Sequence, residues 1–485
     1  MANLKGLAKD TAIYGLSSII GRFLNYLLVP LYTAKLTAAS GGYGIITNMY
    51  ALTALILVLL TFGMETTFFR FANKEGENPQ RVFSTALIGI STVSIVFIAA
   101  IQIFITPVSS FLGYEQTPQY VWVMATAVAI DAIRAIPFTY LRQQKKAVKF
   151  ATLQLLNIGL NIALNLIYYV AMDGHDPGYA FYINLVCSTV VTLCLYREID
   201  QIRHGFDWPL MRRMLSYTWP MVILGVAGIL NQVADKILFP FVYEGNDMKT
   251  QLGIYGACVK IAMIMAMITQ AFRYAYEPIV FAKNKDADKT EYYASAMKYF
   301  LIFTLLAFLC VVGWMPVLQY IIGEDYREGL GVVPIVMVAE IMMGVYFNLS
   351  FWYKLIDKTI YGAWFSLAGC IVLIAVNILF IPQFGYWACA WGGVAGYGTA
   401  MILSYIVGQK KNPIPYPMQR IAYYVALAVM LTMTMYYIPD KYNFGPVLTL
   451  VFNTLCISCF VSYILHNDLP LSSLPIIGKK FKKTK

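Results

Sequence analysis

Five basic residues lie inside long apolar stretches of this sequence: Arg22, Arg134, Lys236, Lys260 and Arg273. A charge in an apolar, membrane-length segment is costly, and it usually faces an interior cavity or an opposite charge. Tyr14, Ser18, Arg22 and Asn25 follow i, i+4, i+8, i+11 spacing, which puts them in one stripe of a helix. Arg22 falls ~18 Å along that helix, near mid-membrane, where its stem cannot easily reach water. It either faces a cavity or forms a buried pair. Asp131 and Arg134 are an i, i+3 pair that could neutralise each other or leave Arg134 available to an anion. Asn231, Gln232, Asp235 and Lys236 follow a Gly225-x-x-Gly228 spacing suited to close helix approach. Asp235 and Lys236 project about 100° apart, so the two are not expected to share one partner geometry, and Lys236 is near enough to the span end to snorkel. Lys260 lies deeper. Arg273 and Glu277, at i and i+4, read as an interfacial ion pair. Gln154, Asn157, Asn161 and Asn165 form an amide stripe that either lines a wet cavity or joins helices.

Cations at several depths suggest a cavity that attracts an anion such as a phosphate, a pyrophosphate or an acidic sugar. Arginine offers a planar fork for phosphate oxygens. The candidate substrate-binding cations are therefore Arg22, Arg134, Lys260, Lys236 and Arg273, with Asn25, Asn157, Asn161 and Asn231 as polar lining. Asp131, Asp235, Glu65 and Glu340 are the carboxylates placed to carry Na⁺ or H⁺, and Glu340 has no obvious partner nearby in sequence. No other cofactor is expected. There is no nucleotide-binding Gly-x-x-x-x-Gly-Lys loop and no His-Glu-x-x-His spacing. His175, His204 and His466 fall in loops or at span ends, and Cys456-x-x-Cys459 lies on a span without a second pair. The external gaps are too short to hold a catalytic platform, so the expectation is that the protein is not an enzyme.

The elements that must position these residues are helices. Hydrophobic residues make up 59% and charged residues 13%, about half the charge of a soluble domain. Fourteen apolar segments are long enough to span a bilayer, at roughly 10–33, 41–63, 82–108, 118–140, 147–171, 178–197, 214–241, 250–275, 296–320, 329–353, 359–381, 386–408, 419–439 and 445–466. They lack the ten-residue alternation of barrel strands, so the fold class is all-α integral membrane. Lys35, Lys249, Arg327 and Lys441 lie in odd-numbered gaps, whereas the remaining loop and tail cations fall in the even-numbered gaps and the two tails. That is the positive-inside pattern with both ends in the cytoplasm. The net charge of +11 is explained by those loops and gives no reason to invoke nucleic acid. No cleavable signal is expected at the start.

Tyr43-Gly44 opens span two and Tyr255-Gly256 opens span eight, 212 residues later, each followed by an apolar run and an aromatic-rich end carrying Arg70 or Arg273. Six spans per repeat make a parallel repeat about an axis along the membrane normal. The expected division is an N-lobe over 1–205, a C-lobe over 206–412, and two appended helices with a basic tail over 413–485.

The opening of the chain carries a resemblance. Gly21-Arg22-Phe-Leu-Asn-Tyr-Leu-Leu-Val-Pro30-Leu-Tyr-Thr leads to Gly42-Tyr43-Gly44 and then Phe62-Gly63-Met-Glu-Thr-Thr-Phe-Phe-Arg70-Phe. In this the chain resembles the polysaccharide-transporter family of the multidrug/oligosaccharidyl-lipid/polysaccharide exporter superfamily, which includes Wzx-type O-antigen and capsule flippases. The resemblance implies two lobes around a cationic lumen. It also implies flipping of a polyprenyl-pyrophosphate-linked oligosaccharide from the cytoplasmic to the outer leaflet by alternating access, for export of O-antigen (lipopolysaccharide), capsule or exopolysaccharide. The bacterial inner membrane would be the location, with a polysaccharide polymerase and glycosyltransferases as functional associates. Arg22 would correspond to a first-span lumen arginine. Two other readings are kept. A multidrug or cation antiporter of the same superfamily predicts acidic lumen residues and usually twelve spans. A polyprenyl-linked membrane glycosyltransferase or ligase needs a sizeable external loop with acid/base groups.

Overall fold

The computed structural model describes residues 26–283, 289–356 and 358–468. In chain order the helices are α1 Leu28–Lys35, α2 Gly42–Thr61, α3 Met64–Ala72, α4 Pro79–Ile103, α5 Ile105–Phe111, α6 Pro118–Gln143 and α7 Ala147–Leu166, the last extended by a π-turn over Ile167–Ala171. Then come α8 Gly178–Cys194, α9 Tyr196–Ile199, α10 Trp208–Val242, α11 Met248–Lys283, α12 Lys289–Gly313, α13 Met315–Leu318, α14 Val332–Leu349 and α15 Phe351–Leu355. The chain continues with α16 Ile360–Phe384, α17 Tyr386–Lys411, α18 Met418–Lys441 and α19 Pro446–Asn467. Among the described residues there is no β-strand, as expected where backbone groups must be satisfied within each segment. Among the described residues, twelve helices are long and apolar enough to cross a membrane, or thirteen if the bent pair Gly178–Cys194 and Tyr196–His204 is one span. Most of the expected first span lies outside the described residues.

Local sequence signals set several helix ends. Asn78 accepts from the Gln80 and Arg81 amides ahead of α4, and Asp207 accepts from the Leu210 amide ahead of α10; each helix has proline in its first turn. Span two was expected to end at residue 63. Instead it breaks there and continues as α3 to Ala72. Phe62 (φ 49°) and Gly63 (φ 65°) are both left-handed, which stops α2 and redirects the chain. Thr218 Oγ1 of α10 donates to the Phe62 carbonyl at 2.8 Å, and a Cβ on Gly63 would sit 2.9 Å from that hydroxyl. The sharp turn therefore needs glycine and is tied to α10.

The chain forms two compact units. Of the described residues, unit one holds those within 26–260, 322–329 and 366–396, and unit two those within 261–321, 330–365 and 397–468. Within unit one, α4 packs on α6, α6 on α8, and α10 on α2. Its core joins Phe68 and Phe71 of α3 to Phe83 and Leu87 of α4, Ala132 and Ile136 of α6, and Met211 and Met214 of α10. Gly44 of α2 meets the start of α11, where a Cβ would overlap the Lys249 carbonyl oxygen. Within unit two, α18 and α19 pack on α12, and α12 on α14. Tyr276, Tyr346, Trp352 and Phe365 centre an aromatic core there.

Candidate functional site

In unit one the break at Phe62–Gly63 places Glu65 in the first turn of α3, facing one side of α6. That side carries Asp131, Arg134, Phe138 and Arg142, spaced i, i+3, i+7, i+11, so one helical stripe delivers both arginines and an acid. The opposite wall comes from α7, with Gln154 and Asn157 from the amide stripe and Phe150 below them. These walls enclose a cavity of about 270 Å³.

Arg134 Nη2 lies 2.9 Å from Asp131 Oδ1, and both side chains are mostly buried, at 16% and 21% exposure. The approach is off the hydrogen-bond direction, so Asp131 Oδ1 is a buried acceptor without a hydrogen bond. Arg134 Nη1 donates to Asn157 Oδ1 at 3.3 Å. Thr139 Oγ1 lies 2.7 Å from the Ala135 carbonyl and 3.3 Å from Glu65 Oε2, so its single proton is shared and Glu65 is only weakly bonded. Arg142, exposed at the cavity mouth, stacks over the Phe69 ring at 5.2 Å. Phe138 and Phe150 meet edge to face at 5.4 Å.

The structure thus brings Glu65, Asp131, Arg134 and Asn157 together and places the other expected residues elsewhere. Asn161 and Asn165 do not line this cavity. Asn165 donates to Asn161 and accepts from Tyr32 at 2.8 Å, joining α7 to α1. Asn231 donates to Ser366 on α16 at 3.1 Å, a second helix-joining contact. Asp235 and Lys236 correct the sequence reading. Lys236 Nζ reaches Asp235 Oδ1 at 3.1 Å and Oδ2 at 2.9 Å. A flexible lysine stem curls back across the 100° separation that the backbone imposes. Tyr255 of α11 completes the pair, donating to Asp235 Oδ2 at 2.7 Å with Lys236 5.3 Å over its ring. This arrangement sets a carboxylate against the Lys236 ammonium.

Lys260, half-buried on α11, makes no ion pair among the described residues. Arg273 lies over the Phe347 ring at 5.0 Å with its Nε unpartnered. The Glu277 side chain, and all of Arg22 and Asn25, lie outside the described residues. Glu340 is half-buried on α14 and is not without a partner.

Sequence reasoning missed Thr139, Arg142 and Tyr255 as site residues. The apolar run ends at 140, which leaves Arg142 in the following basic gap by hydropathy, whereas α6 runs to Gln143. The Asp131–Arg142 stripe was the available signal.

A family model described as "Polysaccharide biosynthesis protein" matches residues 39–330. No curated protein matches the chain. Among solved structures, lipid II flippase MurJ in an inward closed conformation superposes with a TM-score of 0.72 at 15% identity, over 93% of this chain and 98% of that one. An inward-facing multidrug resistance MATE family transporter of the MOP superfamily gives 0.62 at 15% identity, over 82% and 94%. The MATE multidrug transporter DinF-BH in complex with R6G gives 0.60 at 16% identity, over 85% and 97%. At these identities the likeness is one of fold: an all-helical membrane architecture. The family model covers more than half of the sequence, and the chain belongs to the polysaccharide biosynthesis protein family.

Proposed function

We propose that the protein moves a polyprenyl-pyrophosphate-linked oligosaccharide from the inner to the outer leaflet of a bacterial inner membrane, for assembly of a surface polysaccharide. One observation carries this reading. Two carboxylates and two arginines surround a 270 Å³ cavity within otherwise apolar spans. Such groups are expensive in a membrane and mark a pathway for polar cargo. Family membership and the flippase-like fold support it. In this reading, residues 1–205 and 206–412 act as two six-helix lobes in alternating access, 413–485 is an addition to them, and the basic loops and both termini face the cytoplasm. Lys260 and Arg22 are the cations assigned to the diphosphate. Na⁺ or H⁺ drives the cycle through one of the intramembrane carboxylates. A polymerase and glycosyltransferases act on the same glycan.

The test is glycan display in cells whose only copy of the protein is Lys260→Ala or Arg22→Ala. The expected result is loss of surface glycan at normal protein level; normal display from both variants sinks the reading. The fold also hosts multidrug transporters, and efflux of cationic dyes from vesicles containing the purified protein, with no glycan phenotype on deletion, would favour that alternative.

A further inference from the structure

We propose that the cavity between α3, α6 and α7 is a subsite for one neutral sugar ring of the cargo, and does not hold its diphosphate. The proposal rests on the transport reading for its cargo and on the cavity alone for its chemistry.

Charge balance comes first. Glu65 and Asp131 offset Arg134 and Arg142, so a phosphate entering the cavity would meet two carboxylates as well as two guanidinium groups. Like-charge juxtaposition opposes binding. Arg134 is moreover already committed on both terminal nitrogens, to Asp131 and Asn157.

The groups left with hydrogen-bonding capacity are mixed. Asp131 Oδ1 is a buried acceptor without a hydrogen bond. Glu65 accepts only a shared proton from Thr139. The Gln154 amide makes no hydrogen bond among the described residues and offers both donor and acceptor. Arg142 presents guanidinium donors at the mouth. A hydroxyl is at once donor and acceptor, so neighbouring sugar hydroxyls can satisfy such a set where an anion, which only accepts, cannot. Asp131 Oδ1, ion-paired with Arg134 but without a hydrogen bond, can accept from a hydroxyl donor, which the doubly esterified diphosphate of the cargo lacks.

Shape agrees. Phe138 and Phe150 give the cavity an apolar wall against which the C–H face of a ring can lie. At about 270 Å³ the space falls at the lower edge of small-molecule sites, which run from ~300 Å³ upward. It has room for a single ring, with the rest of the glycan left outside.

The experiment is saturation-transfer NMR on the purified full-length protein in nanodiscs, using free glucose, galactose, N-acetylglucosamine, glucuronate and inorganic pyrophosphate as probes. At least one neutral sugar should give a saturable signal that pyrophosphate does not displace. Gln154→Ala and Asp131→Asn should each weaken it at least tenfold, while Lys441→Gln, exposed at the end of α18 and not a lining residue of the cavity, should leave it unchanged. Melting temperatures and helical circular dichroism identify any variant that misfolds, and Gln154→Asn, which keeps the neutral amide on a stem one methylene shorter, provides a second, milder change. The proposal is overturned if no neutral sugar saturates, if the cavity variants leave sugar binding intact, or if pyrophosphate binds and Arg142→Gln abolishes it. Glycan display separates the two readings. Sugar binding without a display defect on deletion would sink the transport role and keep the site. A display defect without sugar binding would do the reverse.

Discussion

At the residue scale, the main finding is that two of the intramembrane cations are each paired with a carboxylate. Arg134 with Asp131 and Lys236 with Asp235 each bring a cation to a carboxylate within 2.9 Å. Removing one member strands the other in an apolar span, which costs about 3–5 kcal/mol for a buried pair. Asp131→Ala is therefore expected to lower the thermal stability of the detergent-solubilised protein sharply. The double variant Asp131→Ala/Arg134→Leu should recover part of that loss, a non-additivity that a double-mutant cycle reads directly. A Tyr255→Phe change tests the second pair. The Tyr255 hydroxyl is a buried donor to a carboxylate, so its loss should cost about 1.5–3 kcal/mol, and thermal unfolding within a few tenths of wild type would show that the bond contributes nothing.

At the element scale, two places where helices meet depend on residues with almost no side chain. Gly44 is packed against the Lys249 carbonyl with no room for a methyl group. The backbone cannot yield as a flexible side chain would, so Gly44→Ala should destabilise by about 3 kcal/mol, visible as reduced accumulation and a lower melting temperature. Gly63 and Thr218 hold the bend that aims Glu65 at the cavity. Thr218→Val keeps the shape of the side chain and removes its donor to Phe62, so the loss should be smaller, about 1 kcal/mol. If the bend positions Glu65, sugar-probe binding will weaken in Thr218→Val even where the protein stays folded.

At the scale of the whole molecule, unit two is fastened at one carboxylate. In unit two, Asp468 ends α19 and receives Lys298 of α12 at 2.6 Å and Tyr424 of α18 at 2.5 Å, with Arg420 at 3.2 Å; its side chain is 2% exposed. Three helices are thus tied at one carboxylate. Burial raises its pKa, but the hydrogen bonds of Lys298 and Tyr424 and the charges of Lys298 and Arg420 outweigh that and hold it below the usual carboxylate range. A carboxyl depressed in the folded state stabilises fully above its unfolded value of ~4. That stabilisation fades as the pH falls through and below that value. The wild-type melting temperature should therefore drop between about pH 5 and pH 3 more steeply than that of Asp468→Asn, which should be less stable at pH 7. Parallel curves would show that Asp468 does not contribute in this way. The two C-terminal spans are bound into unit two through this contact, which bears on any role for residues 413–485.

The amino-acid sequence alone determined the fold class, the extent of most spans and the inventory of intramembrane charge. Runs of some twenty apolar residues can satisfy their backbone in a bilayer only as helices, and charged residues within them stand out by their cost. The expected segments 118–140 and 359–381, for example, agree with α6 and α16 to within a few residues. Which charges pair was not legible, because that depends on rotamers and on helix rotation. Lys236 curls back onto its neighbour Asp235, and the amide stripe of α7 divides between the cavity and a joint to α1, although its spacing treats all four residues alike. The break at Phe62–Gly63 was equally hidden, since hydropathy is blind to a left-handed backbone turn held by a distant Thr218. Only tertiary structure brought Glu65, Arg134 and Gln154, far apart in sequence, around one space, because the cavity is made by four separate helices and exists in none of them alone.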